Sequence, residues 1–423
     1  MDRKIKAGAL QLTIFIVVMI ALLLTGFLIF IHTQKHYKIQ SGFLFETIES
    51  ADKGIYHSLN HWIPIEDSVQ LEQLSQSYRS VLIHRDFWGV HEKIISVSKI
   101  KKHTFKKAAL IGSAQPDNQI ALFVEDNNKP LVLVGETLIK GNVVLPRQGV
   151  RPGNISGNSY YNDRLIYGSV ATSGAMPQIP DQLLSGIKTM GTKVDGINQK
   201  QFLDISKVKQ FKNSFLEPLN VVFSKEDIIL EHIKMTGHIL IQSENKITVS
   251  ATAKLQDVVL IAPEIEIQDH VTGTFQTIAK DKITVGENTV LNYPSAIILY
   301  SEKDSDHSEG SQFVAGDKIL MKKNSTVKGI VAYLGKYDPN NYQPQVLLEE
   351  GATIRGELFC NGNIELKGEV YGAVYTSNFV AHQFGSIYQN HLYNATITNE
   401  NFPTEYVGLI LQDAKKDVLK WLY

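Results

Sequence analysis

Apolar residues recur every six positions between Ile247 and Ile297. Within each recurrence the apolar residues are two apart, as Ile247 and Val249 are, which is typical of a β-strand with one buried face. Similar triplets begin at Ile265 and Ile283, so the pattern restarts every 18 residues. Three short strands per 18 residues predict a β-solenoid, in which each coil stacks on the one before and buries a continuous apolar column.

Two polar segments interrupt this repeat, residues 301–312 and 335–344, and we expect both to be loops. The six-residue pattern resumes at Ile319 and continues to residue 372, and an earlier stretch at 131–145 fits it as well. Gly356, Gly362 and Gly368 also fall six apart, which predicts corners where the backbone needs angles that glycine adopts easily.

The N-terminal part of the chain has a different pattern. Residues 7–31 contain no charged side chain and consist mostly of large apolar residues, enough for a helix that crosses about 30 Å of hydrocarbon. A cleaved signal peptide is the alternative, but this apolar run is longer than a signal peptide needs and no small-x-small site follows it. We therefore predict a single transmembrane helix that stays attached.

Basic residues near the ends of this span favour a cytoplasmic N-terminus. Arg3, Lys4 and Lys6 precede the span, and Lys35 and Lys38 follow it. Positive charge is enriched on the cytoplasmic side of membrane helices. We expect a single-pass protein of the inner membrane, with most of the chain periplasmic or extracellular.

The remaining patterns divide the chain further. Apolar residues at spacings of three and four after residue 31 predict that the helix continues as a stem and ends near Pro64. The overall prediction is a mainly β protein with the following parts: cytoplasmic tail 1–6, transmembrane helix 7–31, helical stem 32–64, β-rich region 65–145, loop-rich segment with a partly helical insertion 146–228, β-solenoid 229–400 and C-terminal cap 401–423.

Composition excludes several classes of function. The chain has 42 basic and 43 acidic residues, and without a basic stripe interleaved with aromatic residues we expect no nucleic-acid binding. The only basic cluster spans residues 99–107 and could contact acidic glycans or lipid headgroups, or simply be a solvated strand. Cys360 is the single cysteine, so neither an intramolecular disulfide nor a cysteine-based zinc site can form.

The sequence contains a candidate binding surface but no recognisable active site. His84, Arg85 and Asp86 resemble the kinase catalytic triplet, but the other kinase motifs are missing, so we predict no catalytic, cofactor or metal site. Aromatic rings stack on sugars and amides bond to hydroxyl groups. A glycan-binding lip is therefore a hypothesis for the five consecutive residues Tyr160, Tyr161, Asn162, Asp163 and Arg164.

The 18-residue repeat, at roughly residues 229–300 and 313–378, resembles two known groups of proteins. Hexapeptide acyltransferases form left-handed β-helices and use a catalytic histidine, and no histidine here is singled out for that role. Bactofilins are polymer-forming solenoids. The resemblance to bactofilins implies a rod that could self-associate through the ends of its stack.

The N-terminus resembles the pilins and pseudopilins. The run Lys6-Ala7-Gly8-Ala9-Leu10-Gln11-Leu12-Thr13 has a basic leader, a glycine and then a long apolar helix. The resemblance implies cleavage between Gly8 and Ala9, although Thr13 stands where most members carry glutamate. The resulting hypothesis is a non-enzymatic envelope protein that works with the membrane and with other envelope or pilus-like proteins. A polysaccharide-binding or polysaccharide-acting protein and a bactofilin-like polymer are the alternatives.

Overall fold

The computed structural model describes residues 7–61, 63–65, 67–72, 78–116, 118–301, 318–336, 338 and 340–422. The predicted cytoplasmic tail and all but the first residue of the predicted loop at 301–312 lie outside this range. The described chain is mainly β with one long apolar N-terminal helix, as the sequence predicts.

The elements follow one another in this order. Helix α1 spans Ala7–Asn60, and the first strands are β1 Ser68–Gln70, β2 Arg79–Trp88, β3 His91–Ile100 and β4 His103–Ala114. Strands β5 to β12 are Ile120–Val124, Leu131–Val134, Leu138–Lys140, Asn142–Leu145, Val150–Pro152, Asn154–Ile155, Asn158–Ser159 and Val170–Thr172. Helix α2, Asp181–Thr192, and two short 3₁₀ turns, Lys193–Gly196 and Gln199–Gln201, come next.

In the described part of the second half of the chain, every regular element is a strand. Strands β13 to β21 are Gln210–Asn213, Asn220–Ser224, Ile228–Leu230, Lys234–Gly237, Ile239–Ser243, Lys246–Val249, Lys254–Ile267, Thr272–Val285 and Val290–Leu299. Strands β22 to β31 are Lys318–Met321, Thr326–Tyr333, Val346–Leu348, Thr353–Leu366, Glu369–Gln383, Ser386–Gln389, His391–Tyr393, Thr396–Thr398, Val407–Gly408 and Lys416–Leu422. The partly helical insertion expected within 146–228 is therefore α-helical only in α2.

Most strands from β5 to β29 form one closed, barrel-like sheet whose ladders are predominantly parallel. We call it the parallel sheet. Residues that recur in the sequence are partners in its ladders: Ile247 pairs with Ile265, Ile265 with Ile283, and Ile283 with Ile319. These isoleucines are completely buried and belong to one apolar core. The six-residue recurrence thus corresponds to columns of stacked apolar side chains.

The parallel sheet also joins two distant parts of the chain. Strand β26 pairs in parallel with β5, so Val374 lies beside Leu122, and β29 pairs with β7, so Ile397 lies beside Ile139. Strands β5, β7 and β8, from the predicted β-rich region 65–145, therefore continue the parallel sheet beyond its last C-terminal strands. Part of this stretch, 131–145, also fits the six-residue pattern in the sequence. The boundary predicted at 145 does not separate two structural units.

Apart from two small sheets, β10–β11 and β28–β6–β9, the described strands outside the parallel sheet form one antiparallel sheet. This antiparallel sheet lies between α1 and the parallel sheet. Strands β1, β2, β3 and β4 follow in order, and β30 and β31 both pair with β4. The C-terminal residues predicted to cap the repeat are instead the last strand of this antiparallel sheet, because Val418 pairs with Ile111 rather than covering the end of the stack. The parallel sheet is thus inserted between β4 and β30.

A second apolar core joins the two sheets. Phe87, Trp88 and Leu110 of the antiparallel sheet share it with residues of the parallel sheet such as Ile261 and Ile298. Because the neighbouring residues Leu260 and Leu299 face the inner core, these strands are buried on both faces. Burial on both faces explains the continuous apolar runs seen there in the sequence.

Candidate functional site: the exposed helix and its attachment

Helix α1 has two halves with opposite surroundings. From residue 8 to residue 39 every side chain is exposed, including Leu22 at 64% and Leu23 at 68%. The helix is long and apolar enough to cross a membrane, with a mean hydropathy of 3.2 over its most apolar window. Exposing an apolar surface of this size to water is unfavourable, so we expect lipid or another protein to cover it.

The second half of α1 packs on the antiparallel sheet through small side chains. Its buried positions recur at spacings of three and four: Thr47, Ser50, Ala51, Gly54, Ile55 and Ser58. At Gly54 an added Cβ would lie 2.2 Å from Ser96 Oγ and 3.1 Å from Val81 Cγ1. Only a residue without a side chain allows this approach. The anchor at 7–31 and the stem predicted to continue it at 32–64 form one helix, which ends at Asn60, four residues before Pro64.

Polar contacts fix the orientation of this half. Lys107 forms an ion pair with Asp52, and His103 Nε2 lies 2.8 Å from Gln40 Oε1. The ammonium group of Lys101 lies 4.2 Å from the centre of the Phe43 ring, a favourable cation–π distance. The basic cluster at 99–107 therefore includes residues that attach the helix to the β3–β4 hairpin.

A buried charge cluster links the antiparallel sheet to the end of the chain. Arg85 Nη2 donates to Glu92 Oε1 at 2.5 Å, and Lys416 Nζ donates to both oxygens of the same carboxylate at 2.7 and 2.9 Å. The side chains of Arg85 and Glu92 are only 5% and 4% exposed. Arg85, noted in the sequence as part of a kinase-like triplet, is thus one member of this charge cluster.

A buried carboxyl holds the C-terminal segment against the parallel sheet. Glu357 accepts hydrogen bonds from the backbone N–H of Leu409 at 2.6 Å and from Gln115 Nε2 at 2.8 Å. Burial raises the pKa of Glu357 to about 7, because the charged form loses more hydration than two hydrogen bonds restore. Gly408 allows this arrangement, since a Cβ there would lie 2.3 Å from the carboxylate.

The five residues of the predicted glycan-binding lip are divided in the structure. Tyr160 donates its hydroxyl proton to the carbonyl of Arg164 at 2.5 Å, and Asn162 donates to the carbonyl of Thr137 at 2.8 Å. These two side chains hold their own loop, and burial raises the pKa of Tyr160. Tyr161, Asp163 and Arg164 are exposed. Glycan binding at this loop stays a prediction.

Within the described ranges, no three His, Cys, Asp or Glu side chains converge in a way that could hold a metal ion. Cys360 is buried, and burial raises the pKa of its thiol well above the ordinary value. The predicted processing site, Gly8 and Ala9, lies in the first turns of α1, and an added Cβ at Gly8 would meet no atom within 4 Å.

Comparison with known proteins places the chain in no family. No protein-family model matches it, and no curated protein sequence matches it significantly. Among solved structures, the competence-associated pilin ComZ from Thermus thermophilus matches over 86% of this chain and 89% of that chain, with 8% sequence identity and a TM-score of 0.18. This TM-score is too low to establish a common fold.

Proposed function

We propose that this chain is a membrane-anchored, non-enzymatic protein of the bacterial cell envelope, and that it serves as a pilus-like or secretion-system component. Its N-terminus would be cytoplasmic, its first helical half would lie in the inner membrane, and its β part would lie outside the cytoplasm. The observation that supports this most directly is the change along α1. The helix is fully exposed to residue 39, with an apolar run at 7–31, and from Thr47 onward one of its faces is buried against the antiparallel sheet.

The continuity of α1 supports this proposal. One uninterrupted helix of 54 residues runs from the apolar half into the packed half, and at 1.5 Å per residue it is about 80 Å long. A plain signal anchor needs about 20 residues and no rigid connection to the folded part. A rigid connection suits a subunit whose apolar half packs first in lipid and later beside the same helix of another copy.

The strand pairing within the parallel sheet supports the proposal that this part of the chain is a β-solenoid. Val249 pairs with Ile267 and Ile267 with Val285, so partners are 18 residues apart. This spacing is what stacked coils of three short strands produce. In our proposal the parallel sheet is a β-solenoid that acts as a scaffold or adhesive surface, carried on the membrane helix by the antiparallel sheet.

The test is the N-terminal mass of the protein purified from its native membrane. A mature chain that begins at Ala9 would support the pilus-like assignment, because it requires cleavage after Gly8. The matched variant is Gly8→Val, at a position where an added Cβ meets no atom within 4 Å, and it should stay unprocessed. A wild-type chain that retains Met1 would overturn the pilus-like assignment and leave a plain membrane anchor.

A further inference from the structure

A groove lies where the C-terminal segment crosses the outside of the parallel sheet. Its volume is about 510 Å³, within the range of roughly 300–1,000 Å³ that is usual for small-ligand sites. We call it the C-terminal groove. It is lined by Tyr293, Lys328, Arg355 and Tyr371 of the parallel sheet and by residues 400–403, 405 and 406 of the C-terminal segment.

One wall of the groove is aromatic and held in place. The rings of Tyr293 and Tyr406 are 5.4 Å apart and those of Phe402 and Tyr406 are 4.8 Å apart. Tyr406 donates its hydroxyl proton to the carbonyl of Gly329 at 3.0 Å, and Tyr293 donates to the carbonyl of Val407 at 3.0 Å. The Tyr293 ring is 37% exposed and offers a face whose position is fixed before any ligand arrives, because its hydroxyl group is bonded internally. Tyr406 is buried and packs against it.

The other wall carries two cations on adjacent strands. Lys328 and Arg355 are partners in the β23–β25 ladder, and Arg355 and Tyr371 are partners in the β25–β26 ladder. The guanidinium carbon of Arg355 lies 5.2 Å from the centre of the Tyr371 ring, and Lys328 Nζ donates to Asn292 Oδ1 at 3.1 Å. Arg355 is exposed and Lys328 is partly exposed, so both can reach an anionic group in the groove.

Carboxylates at the rim limit what kind of anion fits. Glu400 and Glu405 line the same groove, and only Glu400 has its charge balanced, by Lys140 at 3.1 Å. A polyphosphate would place dense negative charge beside these side chains, which is unfavourable. Carboxylates readily accept hydrogen bonds from hydroxyl groups, so a ligand with many hydroxyl groups and few charges fits better.

We propose that the C-terminal groove binds an acidic saccharide, an oligosaccharide that contains uronic acid units. The sugar face would stack on Tyr293 and Phe402, the uronate carboxylate would bind Lys328 and Arg355, and ring hydroxyl groups would donate to Glu405. The proposal is independent of the pilus-like assignment, since it depends only on the fold of the β part.

The experiment measures binding of a panel of oligosaccharides to the detergent-solubilised full chain. The panel contains oligomers of galacturonate, mannuronate and glucuronate, each beside its methyl-esterified counterpart, which keeps the hydroxyl groups and lacks the charge. We expect at least one free acid to bind, and its ester to bind roughly tenfold more weakly, because a charge-assisted hydrogen bond is lost. The variants Arg355→Gln and Lys328→Gln should each raise the Kd of that acid by a similar factor.

The matched control is Lys254→Gln, which removes an exposed lysine on the same sheet away from the groove and should leave the Kd unchanged. Absence of binding to every free acid would overturn the proposal. So would equal affinity for acids and esters, or tighter binding of a single-stranded oligonucleotide than of any uronate oligomer.

Discussion

The ammonium group of Lys416 lies 2.7 Å from the carboxylate of Glu92, although 324 residues separate them in the chain. The same carboxylate binds Arg85, so two cations share one buried anion. This contact joins β31 to the β2–β3 hairpin. In the chain, the parallel sheet lies between these two segments. The antiparallel sheet therefore depends on residues from both ends of the chain.

Replacing Glu92 by glutamine should destabilise the protein by about 3–5 kcal/mol, because the buried cation of Arg85 loses its counterion. Lys416→Met should cost less, since Lys416 is 26% exposed. Urea unfolding of the solubilised chain, followed by tryptophan fluorescence, measures both. Lys415→Met, at an exposed neighbouring position, is the control. A loss for Glu92→Gln no larger than for this control would contradict the role of the cluster.

Gly356→Ala should destabilise the protein by roughly 2–4 kcal/mol. Its φ of +149° disfavours any side chain, and an added Cβ would lie 2.0 Å from the carbonyl of Gly329 and 2.7 Å from the hydroxyl of Tyr406. Gly191→Ala is the matched control, because it lies in α2 with no atom within 4 Å of an added Cβ. Helix propensity predicts a gain of up to about 1 kcal/mol there. The measurement is the thermal unfolding temperature of each variant, which should fall for Gly356→Ala and not for Gly191→Ala. Equal transition temperatures would refute the steric argument.

Glu357→Gln should stabilise the protein relative to wild type, by an amount that grows as the pH rises from 4.5 to 7. The pKa of Glu357 is raised from 4.5 to about 7, so between these values the native state keeps a proton that the unfolded state has lost. The free energy of unfolding of the wild type therefore carries a contribution that falls with rising pH in this window, on the order of 1–3 kcal/mol in total. The glutamine variant lacks this contribution.

The measurement is the difference in unfolding free energy between Glu357→Gln and wild type at several pH values from 4.5 to 7. Using the difference matters because burial lowers the pKa of His91 from 6.5 to about 4. That histidine contributes the opposite slope, since the unfolded state holds the extra proton between those values. Its contribution cancels in the difference. The exposed Glu350→Gln is the control, and a pH-independent difference for Glu357→Gln would disprove the prediction.

Introducing lysine at both Val18 and Leu22 should release the protein from the membrane. Each lysine near the centre of a membrane helix costs about 2.5–3.5 kcal/mol, and both positions are exposed in the apolar half of α1. The control places lysine at Tyr37 and Leu44, which are also exposed but lie beyond the apolar run. Carbonate extraction of membranes measures the bound fraction. Equal retention of the two double variants would argue against a membrane role for residues 7–31.

Local patterns predict local elements here and much less of their arrangement. The β-rich character of residues 65–145 could be predicted, and the described structure has strands β1 to β8 there. The pairing of Ile247 with Ile265 and of Ile265 with Ile283 could be predicted, because the spacing of buried side chains sets the register between these strands. Of the three glycines expected at corners, only Gly356 has a φ in the left-handed region, since a six-residue spacing does not specify the angles at each corner.

The pairings between distant segments could not be predicted. Nothing in residues 120–124 indicates that β26 will be their neighbour, and nothing in residues 416–422 indicates β4, because any apolar strand could satisfy those edges. The C-terminal groove was missed for the same reason. Tyr293, Arg355 and Phe402 are ordinary residues in their local contexts and form a surface only after the C-terminal segment crosses the parallel sheet.

The contact between Leu122 and Val374 has a consequence for biosynthesis. Strands β5 and β7 leave the ribosome long before β26 and β29, which pair with one of their edges. Until then that edge exposes unpaired backbone groups that can bind another chain. The order of synthesis therefore leaves the first strands of this sheet unprotected until its last strands are made, so a newly synthesised copy is prone to pair with neighbouring copies before folding is complete.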